Sequence, residues 1–250
     1  MKSPIKIPKK DSPFQKSKAI QEEYARALRG VAKEVGKLVK GYGPTDQISV
    51  EKLRRALRAY SEILGPWALT TVNKVVLAIE NQDKFAWRKH TEAMSMALRN
   101  EILNAPTGET LRQLMQEQVK LIQSIPLEAA ERVHKLVTEN LYQSARAEEI
   151  AKKIMKTESV AQSRANLIAR TEISRCSNIL VQARATHVGS TGYTWKTSGD
   201  LLVRDSHRKM NGVFVRWDSP PTLDKMVGHA GGFPNCRCWC DPVIPEEDYK

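Results

Sequence analysis

The stretch GGFPNCRCWC, Gly231 to Cys240, places three of the chain's four cysteines at every second position. Thiols so spaced could ligate a metal, carry out redox chemistry, form half of a disulfide, or line the inner face of a strand. Two histidines, His207 and His229, belong to the same region. Imidazole nitrogen and thiolate sulfur are the donors a tetrahedral zinc ion prefers, so His207, His229, Cys236 and Cys238 form a candidate structural zinc set. The spacing weighs against it. Structural zinc sites usually take C-x2-C, whereas C-x-C in an extended strand carries its sulfurs about 7 Å apart on one face and needs a bulge to converge. The other reading is a packed strand in which Cys236, Cys238 and Cys240 face a small core while Arg237 and Trp239 point the other way. Arg237 would then pair with Glu172 or another acid.

Other chemistry is less well supported by the residues. Adjacent positions of C-x-C-x-C are poorly placed to bridge one another, and Cys176 could serve only one of them. Thiols in a reducing cytosol are therefore the expectation. A catalytic thiol would need a paired histidine and a lowered pKa, and neither C-x-x-C nor a P-loop occurs. In VRDSHRKMNGV, Val203 to Val213, Asp205 and His207 could act as an acid–base pair. The alternative is a polar turn in which His207 hydrogen-bonds the cysteine strand, with Asn211-Gly212 joining two hairpin strands.

The elements that must position these residues are mostly helical. From about Ser12 to His187 the chain is rich in Ala, Leu, Glu, Lys, Arg and Gln, which favours helix. Apolar residues recur at three- and four-residue steps, as in Leu53, Leu57, Tyr60 and Leu64. Gly- and Pro-containing breaks are expected at Gly41–Asp46, Gly65–Trp67, Asn104–Thr110 and Ser124–Glu128. Thr157 to Gly189 reads as one more helix. Beyond it, Gly192–Asp200 and Asn211–Pro221 carry the aromatic, β-branched and turn residues of short strands. The expected class is α+β: a mostly helical N-terminal region, then a small C-terminal α+β module with short strands. The divisions expected are residues 1–40 (basic arm and first helix), 41–155 (helical region) and 156–250 (C-terminal module).

Charge is unevenly spread within a net +12. Residues 1–40 hold 11 Lys and Arg against 4 Asp and Glu, residues 41–150 hold 14 against 14, and residues 151–240 hold 14 against 6. Such patches point to a polyanion, most often nucleic acid. Lys2, Lys6, Lys9, Lys10, Lys16 and Lys18 are the candidate phosphate contacts, without base readout. The start MKSPIKIPKK lacks the apolar stretch of a secretory signal. No apolar run approaches the roughly 18 residues of a membrane span, so no membrane partner is expected.

The order ARTEISRCSN (Ala169 to Asn178), YTWKTSGDLLVRDSHRKMNG (Tyr193 to Gly212) and GHAGGFPNCRCWCDPVIP (Gly228 to Pro245) resembles the phage Mu F-like minor head proteins, the head morphogenesis family. The matching positions are Arg170, Thr171, Glu172, Trp195, Asp200, Arg204, His207, Gly212, His229, Asn235, Cys236, Arg237 and Cys238. Ala230 stands where the family usually has proline, and Cys240 lies outside the pattern. The resemblance implies a virion protein and no enzyme. It would sit in the head interior or at the portal vertex after assembly in the host cytoplasm, with portal and capsid or scaffold proteins as partners and non-specific contact with DNA. It implies a role in head assembly and DNA packaging or delivery, and no cofactor beyond a possible structural zinc. The alternative is a metal-dependent, HNH-like nuclease or DNA-processing effector, because His229, Gly231, Gly232 and Asn235 follow the order of such enzymes. The Asp-His pair that opens that motif and the histidine that closes it are missing.

Overall fold

Helix starts are set by side chains that accept orphan backbone N–H groups. In the computed structural model, which describes residues 13–15, 17–43, 46–142 and 147–245, Ser17 caps α1 (Lys18–Tyr42). Asp46 and Ser49 form a reciprocal capping box at α2 (Gln47–Ile63). A single residue, Leu64, separates α2 from α3 (Gly65–His90), whose first turn contains Pro66. Ser95 caps α4 (Met96–Leu103). The helices α5 (Gly108–Tyr142), α6 (Ala147–Met155) and α7 (Thr157–His187) follow. The C-terminal part holds β1 (Gly192–Lys196), the short helix α8 (Asp205–Lys209), β2 (Phe214–Arg216), β3 (Thr222–Leu223), β4 (Met226–Val227) and β5 (Trp239–Val243). The described residues are 68% helical, and the fold is α+β.

Three expectations are corrected. The break expected at Ser124–Glu128 is absent, because α5 runs straight through Pro126. An interior proline costs about 3 kcal/mol. Here Ile122, Ile125, Ala129, Ala130 and Val133 on either side are all buried, and that apolar face holds the helix together. Asn211-Gly212 joins α8 to β2 rather than two strands, with Gly212 at φ +87° and its N–H donating to Trp195 O. The cysteine run is not one strand either: β5 begins at Trp239, so Cys236 and Cys238 lie in the segment that enters it.

β1 is central in an antiparallel sheet of order β2-β1-β5, with Tyr193 opposite Val215 and Trp195 opposite Cys240. The hairpin β3-β4 stands beside it. Two apolar clusters fill the interior. The first gathers α1, α2, α5 and parts of α3 and α7, from Tyr24 to Leu180. The second gathers Trp87, Ile102 and Val181 with Tyr193, Trp195, Phe233 and the three C-terminal cysteines. Helix α7 serves both: Ala165, Ile168, Ala169, Ile173 and Cys176 point into the first, Val181 and Ala185, with Val188 at its C-cap, into the second.

Between the two clusters the Arg184 guanidinium is 1% exposed. Its Nε donates to Asp83 Oδ2 of α3 at 2.6 Å, and its Nη1 donates to the Ile102 and Leu103 carbonyls at 3.0 and 2.9 Å. Those carbonyls lie at the end of α4, where Ile102 O also accepts the Ala105 N–H, so one cation both caps α4 and ties α7 to α3. Burial pushes the Asp83 carboxyl up to about 6, against the pull of the adjacent Arg184 charge. Breaking a buried pair strands the remaining charge, which typically costs 3–5 kcal/mol. Arg184→Ala should therefore lower the urea-derived unfolding free energy by about 3–5 kcal/mol, and a loss under about 1 kcal/mol would assign the pair a surface-like role.

Candidate functional site

One face of α7 carries polar residues at helical spacing: Thr171, Ser174 and Asn178. Ser174 and Asn178 are buried, and the C-terminal loop lies on them. Thr171 Oγ1 accepts the Asn235 N–H at 3.1 Å, and Asn178 Oδ1 accepts the Cys240 N–H at 2.9 Å. Asn178 Nδ2 donates in turn to the Ser174 carbonyl. Gly231 crosses this stripe at φ +79°, where a Cβ would collide with Asn178 Nδ2 and stand 2.7 Å from Ser174 Oγ. Sequence reasoning did not single out Ser174 or Asn178, and named Gly231 only for the nuclease alternative. The available signal was the polar residues Ser174 and Asn178 in helical register with Thr171.

This anchoring shapes the cysteine loop. Asn235 turns the chain at φ +56°, and the Cys238 N–H donates to Cys236 Sγ at 3.4 Å. The two sulfurs therefore converge instead of riding along a flat strand. Burial still alternates, with Cys236, Cys238 and Cys240 inside and Arg237 and Trp239 partly exposed. His207 of α8, 2% exposed, presents Nδ1 to Cys236 Sγ at 3.3 Å and to Cys238 Sγ at 3.6 Å. One ligand atom from each of the three lies within 4.8 Å of the others. Trp195 and Phe233 stand edge-on to the imidazole, at centroid distances of 5.6 and 4.9 Å. On the far side, Asp224 Oδ2 is 3.8 Å from His207 Nε2, which has no hydrogen-bond partner among the described residues. The Cys238 thiol hydrogen-bonds Cys236 and holds the Cys236 pKa down against burial, while the same bond and burial push Cys238 up. Burial raises Cys240 well above the ordinary thiol range.

His229 is placed elsewhere, so the four-ligand set is brought together in three members only. The Trp217 carbonyl can only accept, so His229 Nε2 carries the proton and donates to it at 3.1 Å. Nδ1 is then left to accept from Tyr193 OH at 3.3 Å, and that hydroxyl accepts the Ala230 N–H. Burial lowers the His229 pKa. Both ring nitrogens are thus engaged in fixing the corner between β1 and the Gly228–Gly232 loop. The structure also does not bring His207 and His229 to a common ion, as the nuclease alternative would use them.

The remaining positions are mostly joints. Arg237 pairs with Asp200 at 2.5 Å, not with Glu172. Asp200 also accepts the Leu202 N–H and the Ser198 hydroxyl, and its pKa falls although burial opposes these partners. Glu172 accepts from Gln118 and Arg175. Arg204 donates to the Pro234 carbonyl at 2.7 Å, tying the start of α8 to the cysteine loop. Arg170 is exposed on α7, with its charge near Glu22. Lys18 is the first residue of α1. Lys2, Lys6, Lys9, Lys10 and Lys16 lie outside the described residues.

A helical body whose last long helix carries a short-stranded, cysteine-bearing module is the class of protein defined here. Residues 131–240 match the family model described as Phage Mu protein F like protein. The match runs from the second half of α5 to Cys240 and supports a likeness to the Mu F-like family of phage head morphogenesis. A curated relative from Haemophilus influenzae (strain ATCC 51907 / DSM 11121 / KW20 / Rd), described as an uncharacterized protein, is 30% identical over 146 residues. The alignment covers 58% of this chain and 32% of that protein, so the chain spans about a third of its relative's length. No solved structure matches.

The contact at Gly231 gives a direct check. Gly231→Ala adds both left-handed backbone strain and a side-chain overlap, and should destabilise the protein by about 2 kcal/mol or more. Gly30→Ala, on α1 with open space around the new methyl, should stabilise by about 0.5–1 kcal/mol. Equal effects of the two in denaturant unfolding would contradict the anchoring described.

Proposed function

We propose that this chain is a minor head protein of a tailed bacteriophage, resident in the virion, that assists head assembly and DNA packaging or delivery. The observation that carries the reading is the family match over residues 131–240. That interval contains every position of the sequence motif, from Arg170 to Cys238. The geometry supports an architectural role: most motif residues cap, pin or pack neighbouring segments. Trp195 is fully buried, Thr171 and Asn178 hold the loop, and Asp200 and Arg237 close one corner. No helix among the described residues is long and apolar enough to cross a membrane.

The partners proposed are the portal protein and the capsid or scaffold proteins, with DNA met without sequence readout. Residues 151–240 carry 14 Lys and Arg against 6 Asp and Glu, which suits phosphate contact by charge alone. Docking on the shell falls to the helical body. The α5–α7 groove, lined by Ile125, Ala129, Leu136, Val160 and Ala161 and rimmed by Arg132 and Arg164, is the kind of surface that takes a partner's amphipathic helix.

The test is mass spectrometry of gradient-purified procapsids and DNA-filled heads assembled with the cognate portal and capsid proteins. The chain should be present in both, at low copy, and retained in DNA-free procapsids. Absence from both would overturn the reading. Presence in filled heads alone would transfer the docking from the shell to DNA.

A further inference from the structure

We propose that His207, Cys236 and Cys238 bind a zinc-class divalent ion through imidazole Nδ1 and two thiolate sulfurs, with solvent as the fourth ligand. The distances carry this. A tetrahedral zinc ion with bonds of about 2.3 Å to sulfur and about 2.0 Å to nitrogen separates those two atoms by about 3.5 Å. The two sulfur–nitrogen distances are 3.3 and 3.6 Å. A thiol–imidazole hydrogen bond accounts for one of them. It cannot account for both in line, because Nδ1 has a single lone pair, whereas one ion collects all three atoms.

The surroundings have the features such a site needs. A metal-bound imidazole typically turns its other N–H to a carboxylate, and Asp224 Oδ2 stands 3.8 Å from the buried, otherwise unpartnered Nε2. Asp224 is held there by a two-residue hairpin turn in which Asp224 and Lys225 both adopt positive φ, +51° and +65°. Aromatic rings of Trp195 and Phe233 pack against the imidazole. On the open side, a cleft lined by Leu202, Val203, Arg204 and Asn235 reaches the three ligands, giving the ion an entry path and its fourth ligand a place. A bound ion would join α8 to the cysteine loop, and through Asn235 and Cys240 to α7. This inference does not depend on placement in a phage head.

The experiment uses the full chain, purified without chelator and reduced, and titrated with Co2+ alone and then with Zn2+. The expected result is one ion per chain, with a thiolate-to-cobalt charge-transfer band that Zn2+ abolishes. Cys176→Ser should leave the band unchanged, and the Cys236→Ser/Cys238→Ser double variant should remove it. Asp224→Asn keeps a residue that tolerates left-handed backbone, so the fold is retained; affinity should fall about 10–100-fold. Absence of the charge-transfer band in the parent protein overturns the proposal, a result that needs no variant to fold. A band of undiminished strength in the double variant also overturns it. Unchanged affinity in Asp224→Asn removes the carboxylate from the site.

Discussion

The rest of the structure depends on α7 being buried along two sides of its length. A helix in that position cannot be amphipathic in the ordinary sense, because it has no continuous solvent face. Its sequence meets the constraint with small residues where neighbours press closest, among them Ala161, Ala165, Ala169 and Ala185. Two of the polar groups it buries have defined partners: Arg184 on Asp83 and two helix-end carbonyls, Asn178 on the Cys240 N–H. Burying a guanidinium without such partners would cost several kcal/mol. The helix is thus at once a wall of the first core, a floor for the second, and a template for the loop that follows.

That template explains how a C-x-C segment, which would spread its sulfurs along a strand, gathers them at one histidine. The loop is pinned at Asn235 and again at Cys240 by side chains of the same helix. The path between the pins is short, and it turns through the left-handed residue Asn235 and the N–H···S contact within the pair. The two histidines of the module then do different work. His207 faces sulfur, while His229 has both nitrogens committed to Tyr193 and Trp217. The environment, not residue type, divides them.

Much of this was legible in the sequence where the signal is local. The helices follow from three- and four-residue apolar spacing, and the change of character after Gly189 marks the short strands. What was not legible involves segments far apart in the chain. Pro126 reads locally as a break, yet the apolar residues on both sides bury the same face, and packing outweighs the lost hydrogen bond. Arg237 meets Asp200 because the loop crosses 37 positions of chain, a contact no spacing rule supplies. His229 looked equivalent to His207 as a ligand, since both are histidines of the same module. Only the placement of Tyr193 and the Trp217 carbonyl separates them.

The central claim is that α7 couples the helical body and the C-terminal module into one cooperative unit. The most direct test unfolds the full chain in denaturant while following helical circular dichroism and the reactivity of the buried thiols in parallel. The account predicts coincident transitions, since the cysteine loop cannot leave α7 without exposing the second core, which shares α7 with the first. Thiols that become reactive at denaturant concentrations where the helical signal is still native would contradict it.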